Sequence, residues 1–151
     1  MTTRAEIIDR ARSLRGTPYH PIGRSRLGAD CIGVLVVSGG FEGTEGDWRA
    51  YDARSVAPGE LDAKLRRAGF VQVPLDAAAP GDALTFRKPP FGSVETHAAV
   101  LTAPDRIVHV AAPIGNDQTW VAEVPFDAPW TRLVSRAYRF PGVTEAEGEA
   151  A

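Results

Sequence analysis

Cys31 and the three histidines His20, His97 and His109 are the side chains of this 151-residue chain best suited to nucleophilic, acid–base or metal chemistry. A single cysteine excludes an intrachain disulfide and a multi-cysteine metal site. It leaves a buried thiol, a metal ligand shared with histidine, or a nucleophile. Position discriminates among these. From Asp30 the run D-C-I-G-V-L-V-V-S-G-G is apolar on all sides, which suits either a buried strand or a buried helix. Asp30 is a good N-cap and Gly39-Gly40 a good C-terminal stop, so the reading chosen is a buried helix starting near Cys31. A thiol in a first helical turn sits among unpaired backbone N–H groups at the positive end of the dipole, a setting expected to lower its pKa.

His97 and His109 fall on two strand candidates, Thr96 to Thr102 and Arg106 to Ala111, joined at Pro104-Asp105 as a hairpin. Adjoining antiparallel strands can place both rings on one sheet face, about 5 Å apart at Cβ if directly opposed. A face carrying two histidines, packed on a helix that starts with a cysteine, has the layout of a Cys-His-polar triad. One histidine is then the general base and the third residue fixes its tautomer. Two other readings stay open on spacing alone. Each histidine could be a core residue satisfied by one hydrogen bond, or Cys31, His97 and His109 could bind zinc with a fourth position open.

The elements that must hold these residues are legible around them. Thr3 and Glu6 form a capping box, and Ile7, Ile8, Ala11 and Leu14 make the apolar stripe of a first helix ended by Gly16 and Pro18. Residues 17–29, rich in Gly, Pro and Arg, read as loop, as do residues 41–58, where Trp48 and Tyr51 are expected anchors. Glu60 to Gly69 is an amphipathic helix. Pro80-Gly81-Asp82 is a turn into a strand, Ala83 to Arg87. Trp120 to Val124 and Leu133 to Phe140 complete the strands, and Trp120 and Trp130 read as core or rim packing. Helices first and antiparallel strands afterwards predict an α+β fold in one domain, residues 1–141, with an acidic and disordered tail at 142–151.

Three segments together resemble a known family. R-G-T-P-Y-H-P-I-G-R-S-R-L-G-A-D-C-I-G-V-L is similar to the nucleophile segment of NlpC/P60 peptidases, G-T-P-Y-x-x-G-G followed by D-C-S-G-L. T-H-A-A-V-L-T-A-P-D-R-I-V-H-V-A-A is similar to that family's H-V-G-I-Y-x-x-x-x-x-x-I-H-A, and P-G-D-A-L-T-F to its P-G-D-L-V-F. They occur in the family's order over Ala5 to Ala112. The resemblance implies a papain-like α+β fold, with N-terminal helices packed on an antiparallel sheet or open barrel. It implies Cys31 as nucleophile, His97 as base, His109 as the residue orienting it, Tyr19 lining the groove and Asp30 as the acid before the nucleophile. It further implies cleavage of peptidoglycan stem peptides with no metal or organic cofactor. Two departures fall beside the groove: Ile32 replaces the usual Ser, and His20-Pro21-Ile22 replaces Arg-Trp-Gly. Gly33 keeps the small residue that lets the helix approach its neighbours, while His20 is expected at the surface or rim.

A formal net charge of −2 gives no pull towards nucleic acid, and Ile32 to Val37 is too short to span a bilayer. No export signal opens the chain as given. With the D-C-I-G variant, the domain looks like those encoded among tail genes of phages and gene transfer agents. The expected setting is therefore synthesis in the cytoplasm and assembly into a phage-like tail, with tail-tip or hub proteins as partners. An intracellular muropeptide amidase, or a structural hub that keeps the fold without the chemistry, are the alternatives.

Overall fold

A computed structural model describes residues 2–52, 57–87, 94–111 and 119–143. The first helix, α1, spans Arg4–Ser13. Its capping box is formed: the Thr3 side chain accepts the Glu6 N–H and the Glu6 carboxylate accepts the Thr3 N–H, each at 3.0 Å. Ile7, Ala11 and Leu14 are fully buried, and the stripe is narrower than expected because Ile8 is only partly covered.

The loop expected over residues 17–29 contains a small hairpin, β1 (Arg24–Ser25) with β2 (Gly28–Ala29). Strands of two residues leave no period-2 signature, and close approach holds them in place. A Cβ on Gly28 would lie 2.5 Å from that of His20, and one on Gly23 2.3 Å from the Gly28 carbonyl oxygen.

Helix α2 (Cys31–Gly39) starts and stops where its caps require. The Asp30 side chain accepts the Gly33 N–H at 2.8 Å, and Gly40 closes the other end at φ +72°. Gly33 has a packing reason too: a Cβ there would come within 2.0 Å of the Gly23 carbonyl oxygen. Helix α3 (Glu60–Arg67) buries Leu61 and Leu65 and ends before Gly69, short of the expected limit.

A six-stranded antiparallel sheet follows, in the order β3-β8-β4-β5-β6-β7. Its strands are β3 (Val71–Val73), β4 (Ala83–Arg87), β5 (Glu95–Ala103), β6 (Arg106–Ala111), β7 (Trp120–Pro125) and β8 (Val134–Arg139). Five of these match the expected strands to within one residue at each end. The edge strand β3 was not expected, because Val71 and Gln72 are both exposed and no alternation marks it. Nor was α4 (Trp130–Leu133), a single turn that delays the start of β8 to Val134.

The Pro80-Gly81-Asp82 turn serves packing. Arg4 reaches Asp82 at 2.8 Å and the Pro80 carbonyl at 3.2 Å, tying α1 to the entry of β4. Gly81, at φ +97°, lies so close that a Cβ would meet that of Arg4 at 2.8 Å.

Two apolar clusters divide the sheet's residues by strand alternation. Ala98, Val100, Val108 and Val110 pack with α1 and α2, whereas Ala99, Leu101 and Ile107 pack with Leu84, Phe86 and Ala137. Val143 bridges to Thr2, and the remainder of the expected tail, residues 144–151, lies outside the described residues. Among the described residues no helix is long and apolar enough to cross a membrane.

Candidate active site

A cavity of about 270 Å³ opens at the start of α2. Cys31, Asp30 and Ile32 line it from the helix, Thr96 and His97 from β5, and Val110 from β6. Tyr19, Trp48 and Tyr51 bring aromatic surface to it, and Glu60 and Lys64 of α3 contribute opposite charges.

His97 and His109 meet as the hairpin allows. Their nearest ring nitrogens, His97 Nε2 and His109 Nδ1, are 2.8 Å apart, and both residues are buried. They are not directly opposed. Val100 pairs with Val108, and continuing that register places His97 two residues along the strand from the position opposite His109. A diagonal pair of this kind is within reach of long side chains.

The expectation that α2 packs on the face bearing the histidines is not met. Both rings contact Trp130, and His97 also contacts Phe86, its direct partner on β4; these two aromatics belong to the second cluster, on the face away from α2. Cys31 belongs with the first cluster. Thiol and imidazole converge at the beginning of β5, where both line the cavity.

The electrostatics of the thiol also depart from expectation. Burial, and then the Asp30 carboxylate beside it, push the Cys31 thiol up to about 12. The amides of Ala98, Cys31 and Ile32 pull in the opposite direction but are outweighed. The resting thiol is therefore protonated at neutral pH, and its activation depends on a base.

Asp30 does more than cap the helix. It also accepts the Ile22 N–H at 2.9 Å, pairs with Arg24 Nη1 at 3.2 Å and accepts the Tyr51 hydroxyl. Burial, and then that hydrogen bond, raise the Tyr51 pKa and keep the phenol neutral. Arg24 extends the network by donating to Asp47 at 2.8 Å and to the Trp48 carbonyl at 2.9 Å. In this way the anchors Trp48 and Tyr51 are fixed to the helix cap. Ile22 stands at φ +61°, where a β-branched residue is strained, in the position the resembled motif gives to glycine.

Tyr19 lines the cavity beside Cys31. Its N–H donates to the Thr119 carbonyl at 2.9 Å, and its backbone bridges to Ala29. His20 is exposed, facing the Pro21 carbonyl at 2.9 Å, and does not line the cavity. Sequence reasoning missed the Arg24–Asp47 link and the aromatic setting of the histidines, where Phe86 is brought to His97 by the β4–β5 register. Among the described residues no three His, Cys, Asp or Glu side chains are grouped to hold a metal ion.

No family model and no curated protein matches the sequence. Solved structures do match the fold. An NlpC/P60 family protein from Bacillus cereus superposes over 91% of this chain with a TM-score of 0.64 at 20% identity, and the match covers 40% of that protein. A lipoprotein-like NLP/P60 protein from Staphylococcus aureus gives 0.61 at 18% identity, over 91% of this chain and 41% of its own. The NlpC/P60 domain of the peptidoglycan hydrolase SagA gives 0.60 at 18% identity, over 90% of this chain and 97% of that domain. The chain thus spans about two-fifths of the length of the first two proteins and nearly all of the isolated domain. Its α+β fold, built on a six-stranded antiparallel sheet, is the fold of these NlpC/P60 structures.

Proposed function

We propose that this protein is a cysteine peptidase that cleaves amide bonds in peptidoglycan stem peptides. The observation that carries the proposal is one cavity holding Cys31 and His97, with His97 hydrogen-bonded to His109 at 2.8 Å. Because Nε2 of His97 is engaged by His109, Nδ1 is the nitrogen that takes the thiol proton. The thiolate attacks the amide carbonyl, and the amides of Cys31 and Ala98, which already face the sulfur, steady the oxyanion. His97 returns the proton to the leaving amine, and a thioester remains. Water, giving a proton to His97, then hydrolyses the thioester to a carboxylic acid and frees the thiol.

The wall peptide is supported as substrate by the shared fold, since one structural neighbour is the NlpC/P60 domain of a peptidoglycan hydrolase. For the setting we propose a phage-like tail, assembled in the cytoplasm with tail-tip or hub proteins. The support is the likeness of Asp30-Cys31-Ile32-Gly33 to nucleophile segments of tail-encoded domains. A structural hub that keeps the fold without the chemistry is the competing reading, favoured by the burial of Cys31 beside the Asp30 carboxylate, which disfavours the thiolate. Digestion of purified sacculi with wild type and Cys31→Ala decides between them: new amine termini released only by wild type support the peptidase, and their absence supports the hub.

A further inference from the structure

We infer that Trp130 is a positioning residue for the His97–His109 pair, holding both rings in the single tautomer in which Nδ1 of His97 is bare. The inference rests on the reading of His97 as the base for Cys31.

The indole lies over His97 with ring centres 5.6 Å apart and planes 30° from parallel. The same indole meets His109 edge to face, at 4.8 Å and 79°. One side chain therefore touches both partners of the 2.8 Å hydrogen bond. That bond needs the lone pair of one nitrogen and the N–H of the other to be aligned, and the ring planes stand at 74° to each other. Rotation of either imidazole about its Cβ–Cγ bond breaks the alignment. Phe86 packs against His97 at 5.9 Å and against Trp130 at 5.4 Å, closing the cluster from β4.

Trp130 comes from α4, outside the two strands that carry the histidines. It is half-buried while both histidines are buried, so the indole is the outer cover of the pair. With that cover in place, water does not compete for the N–H shared between the rings. Nε2 of His97 then keeps its proton on the side of His109, and Nδ1 keeps its lone pair. An apolar side chain of similar bulk would preserve burial but not the two ring contacts.

The test uses Trp130→Leu and Trp130→Phe, with Trp130→Met in place of the leucine variant should the latter not fold. Imidazole nitrogens are read by long-range ¹H–¹⁵N correlation on the resting protein at neutral pH. Wild type and Trp130→Phe should show His97 with Nε2 protonated and Nδ1 bare, and Trp130→Leu a mixture of tautomers. Alkylation of Cys31 by iodoacetamide should slow about five- to tenfold in Trp130→Leu, the factor an aromatic pair is worth, and recover in Trp130→Phe. An unchanged tautomer pattern and alkylation rate in Trp130→Leu would overturn the inference. Neither readout needs a substrate, so failure of the wall-peptide assignment would leave this result intact and separately legible.

Discussion

His97 Nε2 and His109 Nδ1 stand 2.8 Å apart, so one proton lies between two rings that belong to neighbouring strands. If His97 donates, its Nδ1 carries a lone pair, which is the state a base for Cys31 requires. The diagonal offset on the sheet, the aromatic cluster around the rings and the neutral thiol all bear on this one relationship.

Replacing either histidine should therefore slow the thiol, by different amounts. In His97→Ala, iodoacetamide alkylation of Cys31 at neutral pH should fall about 10²- to 10³-fold, the range of a lost general base. In His109→Ala, which leaves the base but frees its tautomer, the loss should be smaller, roughly tenfold, and His109→Gln should recover part of it. Equal losses in the two alanine variants would mean that His109 does not act through His97.

Raising the Cys31 pKa to about 12 links the site to stability at alkaline pH. The folded state binds the thiol proton more tightly than the unfolded chain, where the ordinary value is 9.0. The stabilising contribution is thus fully present below pH 9.0 and is lost as pH rises through that value towards 12. Cys31→Ser does not titrate there. Urea unfolding at increasing pH should show wild type losing on the order of 1 to 2 kcal/mol more than Cys31→Ser, after discounting for the partial exposure of residue 31. Parallel curves would show that the folded thiol titrates normally.

Ile22 gives a prediction about stability alone. Its left-handed backbone places its N–H on the Asp30 carboxylate, at 2.9 Å, at the expense of steric strain in a β-branched residue. Asn tolerates that conformation, so Ile22→Asn should raise unfolding stability by about 1 kcal/mol in urea titration. A loss of stability would mean that the half-buried isoleucine side chain outweighs the strain.

Much of this was legible in the sequence, for local reasons. The Thr3–Glu6 box, the Asp30 cap, the Gly40 stop and the Pro80-Gly81-Asp82 turn are satisfied within a few residues of chain, so residue type announces them. The His97–His109 pairing was readable because a two-residue turn fixes which strands adjoin. What stayed hidden depends on distance and burial. β3 is a strand because β8 pairs with it, and α4 is too short for a period. Arg24 to Asp47 and Tyr51 to Asp30 span 23 and 21 residues, with nothing local to mark them. The thiol shows the same divide. Its place at a helix start suggested a lowered pKa, but desolvation and the Asp30 carboxylate prevail, and desolvation is a property of the folded interior.

The central claim is that Cys31 is the nucleophile of a wall-peptide hydrolase, and it is tested most directly on purified sacculi. Wild type and Cys31→Ala are incubated with them, and the released muropeptides are identified by mass spectrometry with labelling of new amines. The account predicts new amine termini within stem peptides for wild type and none for Cys31→Ala. Release by both proteins, or by neither, would contradict it.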